Sequence, residues 1–142
     1  MKIAIIVSQF NKDISDGLLN GAKKGLKDFG VKENEFEVYE VPGAFEIPLT
    51  AQKLADTKKI DGIIALGCVL KGDTYHYEAV CQGTTYGIQK VSIENKLPIM
   101  FGVLMCETNK QAIDRSSANE ENKGWECAKS LIEMFELSKK MV

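Results

Sequence analysis

The sequence predicts one three-layer α/β/α domain, residues 1–142, built on a four-stranded parallel sheet in doubly wound order. Short runs rich in β-branched residues alternate with longer segments of helical apolar spacing, which is the pattern of βαβ units. The third run, GIIALGCV, is apolar without alternation, as expected of a strand covered by helices on both faces. A chain of 142 residues, 44% of them apolar, has the size of one domain with one core.

The first βα unit follows from residue spacing. A strand is predicted over Lys2–Ser8, and a helix is predicted over Ile14–Phe29, ending at Gly30. The helix carries a stripe of small residues, formed by Gly17, Gly21 and Gly25. Each glycine costs about 1 kcal/mol of helix propensity relative to alanine. We therefore expect the stripe to lie very close to another backbone, either in a neighbouring subunit or within this chain.

The next two units follow the same alternation. A second strand is predicted from about Glu35 to Val41, and it breaks at Pro42-Gly43 before a short helix that reaches Ala55. The central strand is predicted over Gly62–Val69, with a helix from about Tyr75 to Asn95 after it.

The last unit has a strand over Pro98–Leu104 and two helical segments, Asn109–Arg115 and Gly124–Lys140. No linker or repeat divides the chain. In doubly wound sheets, ligands bind beyond the carboxyl ends of the strands, so function is expected in the βα loops. These loops are Gln9–Asn11, Pro42–Glu46, Leu70–His76 and Met105–Thr108.

Charge and hydropathy exclude several classes of partner. The chain has 18 basic and 20 acidic side chains interleaved along its length, so no basic stripe is present to bind nucleic acid. No apolar run is long enough to span a membrane, and the start runs into a strand pattern rather than a cleavage site. We expect a cytoplasmic protein without nucleic-acid or membrane partners.

Neither a metal nor an organic cofactor is indicated. The four cysteines are never paired as C-x-x-C, and His76 is the only histidine, so no set of zinc ligands is present. Reduced core thiols are the favoured interpretation, with a catalytic thiol at Cys68 or Cys106 as the alternative. No strand is followed by a nucleotide-binding glycine motif, which disfavours nucleoside triphosphates and dinucleotides.

The loop after the central strand carries candidate anion-binding and proton-transfer groups. The backbone N–H groups of Lys71–His76 and the hydroxyl of Thr74 can face a phosphate at the positive end of the next helix. Asp73 and Thr74 serve equally well as plain helix caps. His76 has an imidazole suited to proton transfer near neutrality, although a lone histidine is more often an ordinary surface or core residue.

Two other loops pair an aromatic ring with a polar group. Phe45 and Glu46 offer a face for a flat heterocycle and a carboxylate for hydroxyl groups, and Phe10 repeats the aromatic element after the first strand. Taken singly, each phenylalanine is more often a core residue than a ligand contact, but two of them on βα loops of one sheet favour a stacking site. The planar guanidinium of Arg115 can donate two parallel hydrogen bonds to a phosphate, whereas Lys123 could be an ordinary solvated charge.

These motifs together resemble the lumazine synthase family. The similarity rests on F-N after strand one, P-G-A-F-E-I-P after strand two and G-C-V-L-K-G-D-T-Y-H after strand three. F-G-V-L in strand four and A-I-D-R followed by N-K-G extend it over nearly the whole chain. The resemblance implies a flavodoxin-like fold and a cofactor-free transferase of riboflavin biosynthesis. It also implies a homopentamer or a sixty-subunit icosahedral capsid of pentamers, with riboflavin synthase as a candidate partner in the pathway.

The resemblance implies roles for particular residues. The pyrimidine and its ribityl chain would be bound by Phe10, Ala44, Phe45, Glu46, Ile47, Val69 and Leu70. Asp73 and Thr74 would bind phosphate, and His76 would be the general acid/base. Phe101, Lys123 and the phosphate clamp Arg115 would come from the neighbouring subunit. The similar enzymes join 5-amino-6-(D-ribitylamino)uracil to 3,4-dihydroxy-2-butanone 4-phosphate, giving 6,7-dimethyl-8-ribityllumazine, phosphate and water.

One segment departs from the family. The usual A-G-T-K-x-G-N is replaced by Ser116–Asn122, where a lysine is lost and two glutamates are gained. Lower positive potential there could weaken phosphate capture or change contacts between pentamers. Three alternative functions stay open: an archaeal-type riboflavin synthase, a flavin carrier or shell protein without turnover, and a flavodoxin-like electron carrier.

Overall fold

The computed structural model describes residues 1–142 and contains one sheet of four strands flanked by five α-helices. The strands are β1 (Ile3–Ser8), β2 (Phe36–Val41), β3 (Gly62–Leu70) and β4 (Ile99–Cys106). The helices are α1 (Lys12–Asp28), α2 (Ile47–Asp56), α3 (His76–Asn95), α4 (Asn109–Ser116) and α5 (Lys123–Lys140). Every predicted strand and helix is present, with shifts of one or two residues at their ends. Two short 3₁₀ turns, Glu33–Glu35 and Ala44–Glu46, were not predicted.

The sheet is parallel throughout, in the order β2-β1-β3-β4. The chain therefore winds outward in one direction from β1 to β2 and in the other from β3 to β4. The prediction of a doubly wound, three-layer flavodoxin-like domain is confirmed. The switch in winding direction falls between β1 and β3, which is where such sheets bind ligands.

Two apolar clusters lie on opposite faces of the sheet. Alternate residues of β1 divide between them, because successive side chains of a strand point to opposite faces. Ile3 and Ile5 join α1, α4 and α5 on one face, whereas Ala4 and Ile6 join α2 and α3 on the other. Fully burying each isoleucine contributes about 1.5–3 kcal/mol, so the continuous apolar runs of β1 and β3 stabilise both layers. No helix is both long enough and apolar enough to cross a membrane.

The glycine stripe of α1 is explained by packing within this chain. A Cβ on Gly17 would collide with the carbonyl of Ser116, and a Cβ on Gly21 would collide with the side chain of Asn122. A Cβ on Gly25 would lie 2.7 Å from the Cβ of Ala128. Of the two sources considered for the neighbouring backbone, the intrachain one is correct.

Candidate active site

The carboxyl ends of the four strands gather most of the predicted site residues at one edge of the sheet. Phe10 follows β1, the segment from Ala44 to Ile47 follows β2, and Val69 and Leu70 end β3. The loop from Asp73 to His76 comes next and leads into α3. Because parallel strands end at the same edge, these loops surround one region, centred on the switch between β1 and β3.

At this edge, β1 and β3 separate to leave a crevice. Their ladder ends at the pair Val7 and Leu66. Beyond it, β3 continues to Leu70, paired only with β4. The crevice between the separated ends is spanned by Asn11, whose Nδ2 donates a hydrogen bond to the carbonyl of Cys68 at 3.0 Å.

Two aromatic rings lie exposed at the rim of this crevice. Phe10 is 63% exposed and Phe45 is 58% exposed. The ring of Phe45 packs against α3 at Gly83, where an added Cβ would lie 2.5 Å from the ring. Phenylalanine at such exposure is available to stack on a flat molecule.

The loop after β2 combines buried and exposed residues. Ala44 and Ile47 are buried in the apolar cluster under α2 and α3, so in the single chain they support the loop from below. Glu46 is exposed, and its Oε1 lies beside Gly43, where an added Cβ would be 3.1 Å away. Pro48 stands in the first turn of α2, as predicted. The loop therefore presents a ring and a carboxylate on a firm base.

The amino end of α3 lacks a conventional side-chain cap. Its N-cap residue, Tyr75, makes no side-chain cap bond, and Asp73 does not occupy the capping position. The hydroxyl of Thr74 accepts the backbone N–H of His76 at 3.3 Å, so the capping interpretation holds in part for this residue. Asp73, Thr74 and His76 are exposed. The remaining first-turn N–H groups lie at the positive end of a long helix and have no partner within the helix, so an anion there is stabilised.

Two predicted residues lie apart from this group. Phe101 of β4 lies beside Ala65 of β3, whereas the crevice residue Val69 lies beside Met105. Four residues separate Phe101 from Met105, which is about 13 Å along the strand. Lys123 is the first residue of α5, on the α1 face of the sheet, and forms an ion pair with Glu126 at 3.5 Å. The crevice of a single chain therefore contains neither side chain.

Arg115 lies in the last turn of α4 with an exposed side chain. Lysines form all seven ion pairs of the chain, so the only arginine has no carboxylate partner. Burial raises the pKa of the Cys106 thiol at the end of β4, and the charge of Arg115 opposes part of this rise. Helix α4 follows β4 and packs against it, so Arg115 lies on an element beside the strand-end edge.

The cysteines are free thiols with low nucleophilicity. Burial is the main cause that raises the pKa of Cys68 to about 12, with smaller contributions from the neighbouring Cys106 and Asp13. A thiol with such a pKa is protonated at neutral pH and does not act as a nucleophile. The interpretation as core thiols is favoured over a catalytic Cys68.

Two polar side chains have structural roles that the sequence did not reveal. Asn11 spans the crevice from a left-handed backbone conformation, for which asparagine is only a weak signal. Asn122 is 3% exposed, and its amide lies within 3.1 Å of the carbonyls of Gly17, Ser116 and Ser117. Asn122 also caps α5, because its side-chain oxygen accepts the N–H of Trp125. An asparagine just before a predicted helix was therefore the one sequence signal for a structural role of this residue.

A separate cavity lies on the α1 face of the chain. It has a volume of about 750 Å³ and is lined by α1, Ser116–Asn122 and Trp125. We assign the site to the crevice because two exposed aromatic rings and unpaired titratable groups converge there, whereas Lys24, Asp28 and Trp125 of the cavity bond one another.

Fold and site define a flavodoxin-like, doubly wound α/β protein with a ligand crevice at its topological switch. Residues 1–139 match the 6,7-dimethyl-8-ribityllumazine synthase family. The protein of that name from Pediococcus pentosaceus is 49% identical over 137 residues, covering 96% of this chain and 88% of the relative. Its counterpart from Lactiplantibacillus plantarum is 48% identical over 139 residues, covering 98% and 87%. The chain belongs to the 6,7-dimethyl-8-ribityllumazine synthase family, whose members are transferases of riboflavin biosynthesis.

Proposed function

We propose that this enzyme condenses 5-amino-6-(D-ribitylamino)uracil with 3,4-dihydroxy-2-butanone 4-phosphate to form 6,7-dimethyl-8-ribityllumazine. The observation that carries the proposal is the convergence of two kinds of group at one sheet edge of a chain in this family. Exposed aromatic rings suited to a heterocycle surround the crevice, and an uncapped helix end suited to phosphate opens beside it.

The crevice supplies contacts for the heterocycle and its polyol chain. Phe10 stacks on the pyrimidine, and Phe45 covers the ribityl side of the site. The exposed carboxylate of Glu46 accepts hydrogen bonds from ribityl hydroxyls. Val69 and Leu70, half-buried at the end of β3, provide the apolar wall. Ala44 and Ile47 support these contacts from within the core.

The phosphate of the second substrate binds at the amino end of α3. Backbone N–H groups of the first turn and the hydroxyl of Thr74 donate to it, with Asp73 contributing its backbone N–H. Arg115 clamps the phosphate from a neighbouring subunit with a planar pair of donors. A guanidinium without an intrachain carboxylate partner supports this role.

The chemistry is positioned condensation with proton transfer. The 5-amino group attacks the ketone and water leaves to give an imine; the phosphate then leaves by β-elimination, and ring closure expels a second water. Holding amine and ketone together makes the first step effectively unimolecular, which contributes more than acid/base help. His76 moves protons during imine formation and elimination. No step requires a metal or an organic cofactor.

The proposal includes assembly as a homopentamer, alone or in a sixty-subunit icosahedral capsid. Phe101 and Lys123 lie away from the crevice of their own chain, which supports their supply to a neighbour's crevice. Riboflavin synthase is the proposed pathway partner. The four free thiols support the proposed cytoplasmic location.

A direct assay tests the function. Purified protein is mixed with both substrates and a chelator, and formation of the fluorescent lumazine is followed against the spontaneous reaction. We expect product well above the spontaneous rate and no effect of the chelator. Tight binding of lumazine without acceleration would refute the synthase proposal in favour of a carrier or shell protein.

A further inference from the structure

Asn11 has a backbone conformation that helix capping does not explain. It is the N-cap residue of α1 with φ 58° and ψ 56°, in the left-handed region, and its side chain makes no cap bond. An N-cap residue normally has extended backbone and a capping side chain. The other non-glycine residues with positive φ, Lys58 and Lys96, follow the ends of helices, where this conformation is common.

The side chain of Asn11 spans the crevice instead of capping the helix. Its Nδ2 donates to the carbonyl of Cys68, a residue 57 positions away on β3. The bond forms just past the last residue pair between β1 and β3. At this point the backbone after β1 bonds only β2, where the N–H of Gln9 donates to the carbonyl of Val41. Left-handed backbone at Asn11 is thus associated with a cross-crevice hydrogen bond.

This bond joins the two walls of the crevice next to Phe10 on one wall and Val69 on the other. Asn11 follows Phe10, and Cys68 precedes Val69. The gap below them is narrow, since a Cβ on Gly67 would lie 2.5 Å from the hydroxyl of Ser8. A small change in the spacing of the walls therefore changes the distance from the Phe10 ring to the β3 wall.

We propose that Asn11 is a positioning residue that sets the width of the slot between Phe10 and Val69 for a flat heterocycle. The inference rests on the proposed function and deepens it, because it identifies what holds the stacking ring in place. Asn11 acts through Phe10. The left-handed backbone of Asn11 costs free energy, and the protein keeps it because only this conformation lets the side-chain amide reach across the crevice.

Two substitutions separate the amide from the backbone. Asn11→Gly adopts the left-handed conformation without strain and removes the bridge, whereas Asn11→Asp keeps the shape and removes the donor. Lys96→Gly is the matched control, since it relieves the same strain at the end of α3, away from the crevice. Each variant is measured for the dissociation constant of 6,7-dimethyl-8-ribityllumazine, for KM and kcat with both substrates, and for thermal unfolding.

We expect both Asn11 variants to weaken lumazine binding and raise the KM for the uracil substrate about three- to tenfold, the loss of one hydrogen bond. The KM for the phosphate substrate and all constants of Lys96→Gly should stay unchanged. In a Phe10→Ala background the effect of Asn11→Gly should vanish, because Asn11 acts through that ring.

Wild-type affinity and KM in Asn11→Gly would overturn the inference, as would an equal effect in the Phe10→Ala background. Unfolding of Asn11→Gly would also overturn it, by showing that the side chain maintains the fold. Failure of the proposed function is recognised separately, as a wild type that binds lumazine without accelerating its formation; the binding constants of the variants then still decide the role of Asn11.

Discussion

At the scale of single residues, Arg115 is the only arginine of the chain and forms none of its ion pairs. Replacing it with alanine should raise the KM for the phosphate substrate at least tenfold, roughly the loss of one charge-assisted hydrogen bond, with little change for the uracil substrate. Lys110→Ala is the control, because Lys110 lies on the same helix but is paired with Asp114 at 2.8 Å. Steady-state kinetics with each substrate varied in turn measure the difference. Equal effects of the two substitutions would contradict a specific phosphate clamp.

His76 begins α3 beside the proposed phosphate site. His76→Ala should lower kcat by less than about a hundredfold, the lower end of general acid–base contributions, because positioning dominates the reaction. Tyr75→Phe, a change at the neighbouring exposed ring, should leave kcat unchanged. Unaltered turnover in His76→Ala would remove the proton-transfer role.

Two buried thiols should make stability depend on alkaline pH. Burial raises the pKa of both Cys68 and Cys127 from 9.0 to about 12. The folded chain therefore keeps these protons at pH values where the unfolded chain loses them. Their contribution to stability is complete below pH 9 and is lost as the pH rises toward 12.

We expect the urea midpoint of the wild type to fall over that window. The double variant Cys68→Ala and Cys127→Ala should be less stable at neutral pH but should lose less stability between pH 9 and 12. Parallel pH profiles of the two proteins would show that these thiols do not carry the dependence.

At the scale of secondary-structure elements, Asn122 fastens the segment between α4 and α5 to α1. Its amide bonds the carbonyls of Ser116, Ser117 and Gly17, and its carbonyl caps α5 at Trp125. Because Gly21 has no side chain, Asn122 can occupy the space against α1. The departure of this segment from the family pattern therefore preserves its central anchor.

Asn122→Ala should lower the free energy of unfolding by about 3 kcal/mol, since it leaves several buried carbonyls without a donor. Asn119→Ala is the matched control, because Asn119 is exposed and bonds Asp114 at 3.3 Å; it should cost less than about 1 kcal/mol. Urea unfolding of both variants provides the comparison. A cost at Asn122 as small as that at Asn119 would show that the network is not a significant anchor.

At the scale of the whole molecule, local sequence determined the sheet but not the details of the crevice. The apolar runs of β1 and β3 and the alternation of strands with helices made a parallel, doubly wound sheet predictable, because right-handed crossovers leave few alternatives. For the same reason, Phe10, Phe45 and the segment from Thr74 to His76 could be placed at the carboxyl ends of the strands. The bonds of Asn11 and Asn122 could not be predicted, since they join residues 57 and 105 positions apart.

Phe101 and Lys123 lie away from the crevice of their own chain, so we expect the assembled protein to share each active site between neighbouring subunits. Two impaired chains should complement each other if each site takes its crevice from one subunit and Arg115 from the next, when activity is assayed with the phosphate substrate well below the KM of Arg115→Ala. One chain carries Phe10→Ala with His76→Ala, and the other carries Arg115→Ala. In a cyclic assembly formed by refolding an equal mixture, about one quarter of the sites combine an intact crevice with an intact arginine.

At that substrate concentration the refolded mixture should approach about one quarter of wild-type activity, whereas the two chains refolded separately and then mixed should keep only their low residual activities. The second sample is the control, because subunits that do not exchange cannot form hybrid sites. A refolded mixture without recovery would show that Arg115 serves the crevice of its own chain, since every site would then carry at least one defect.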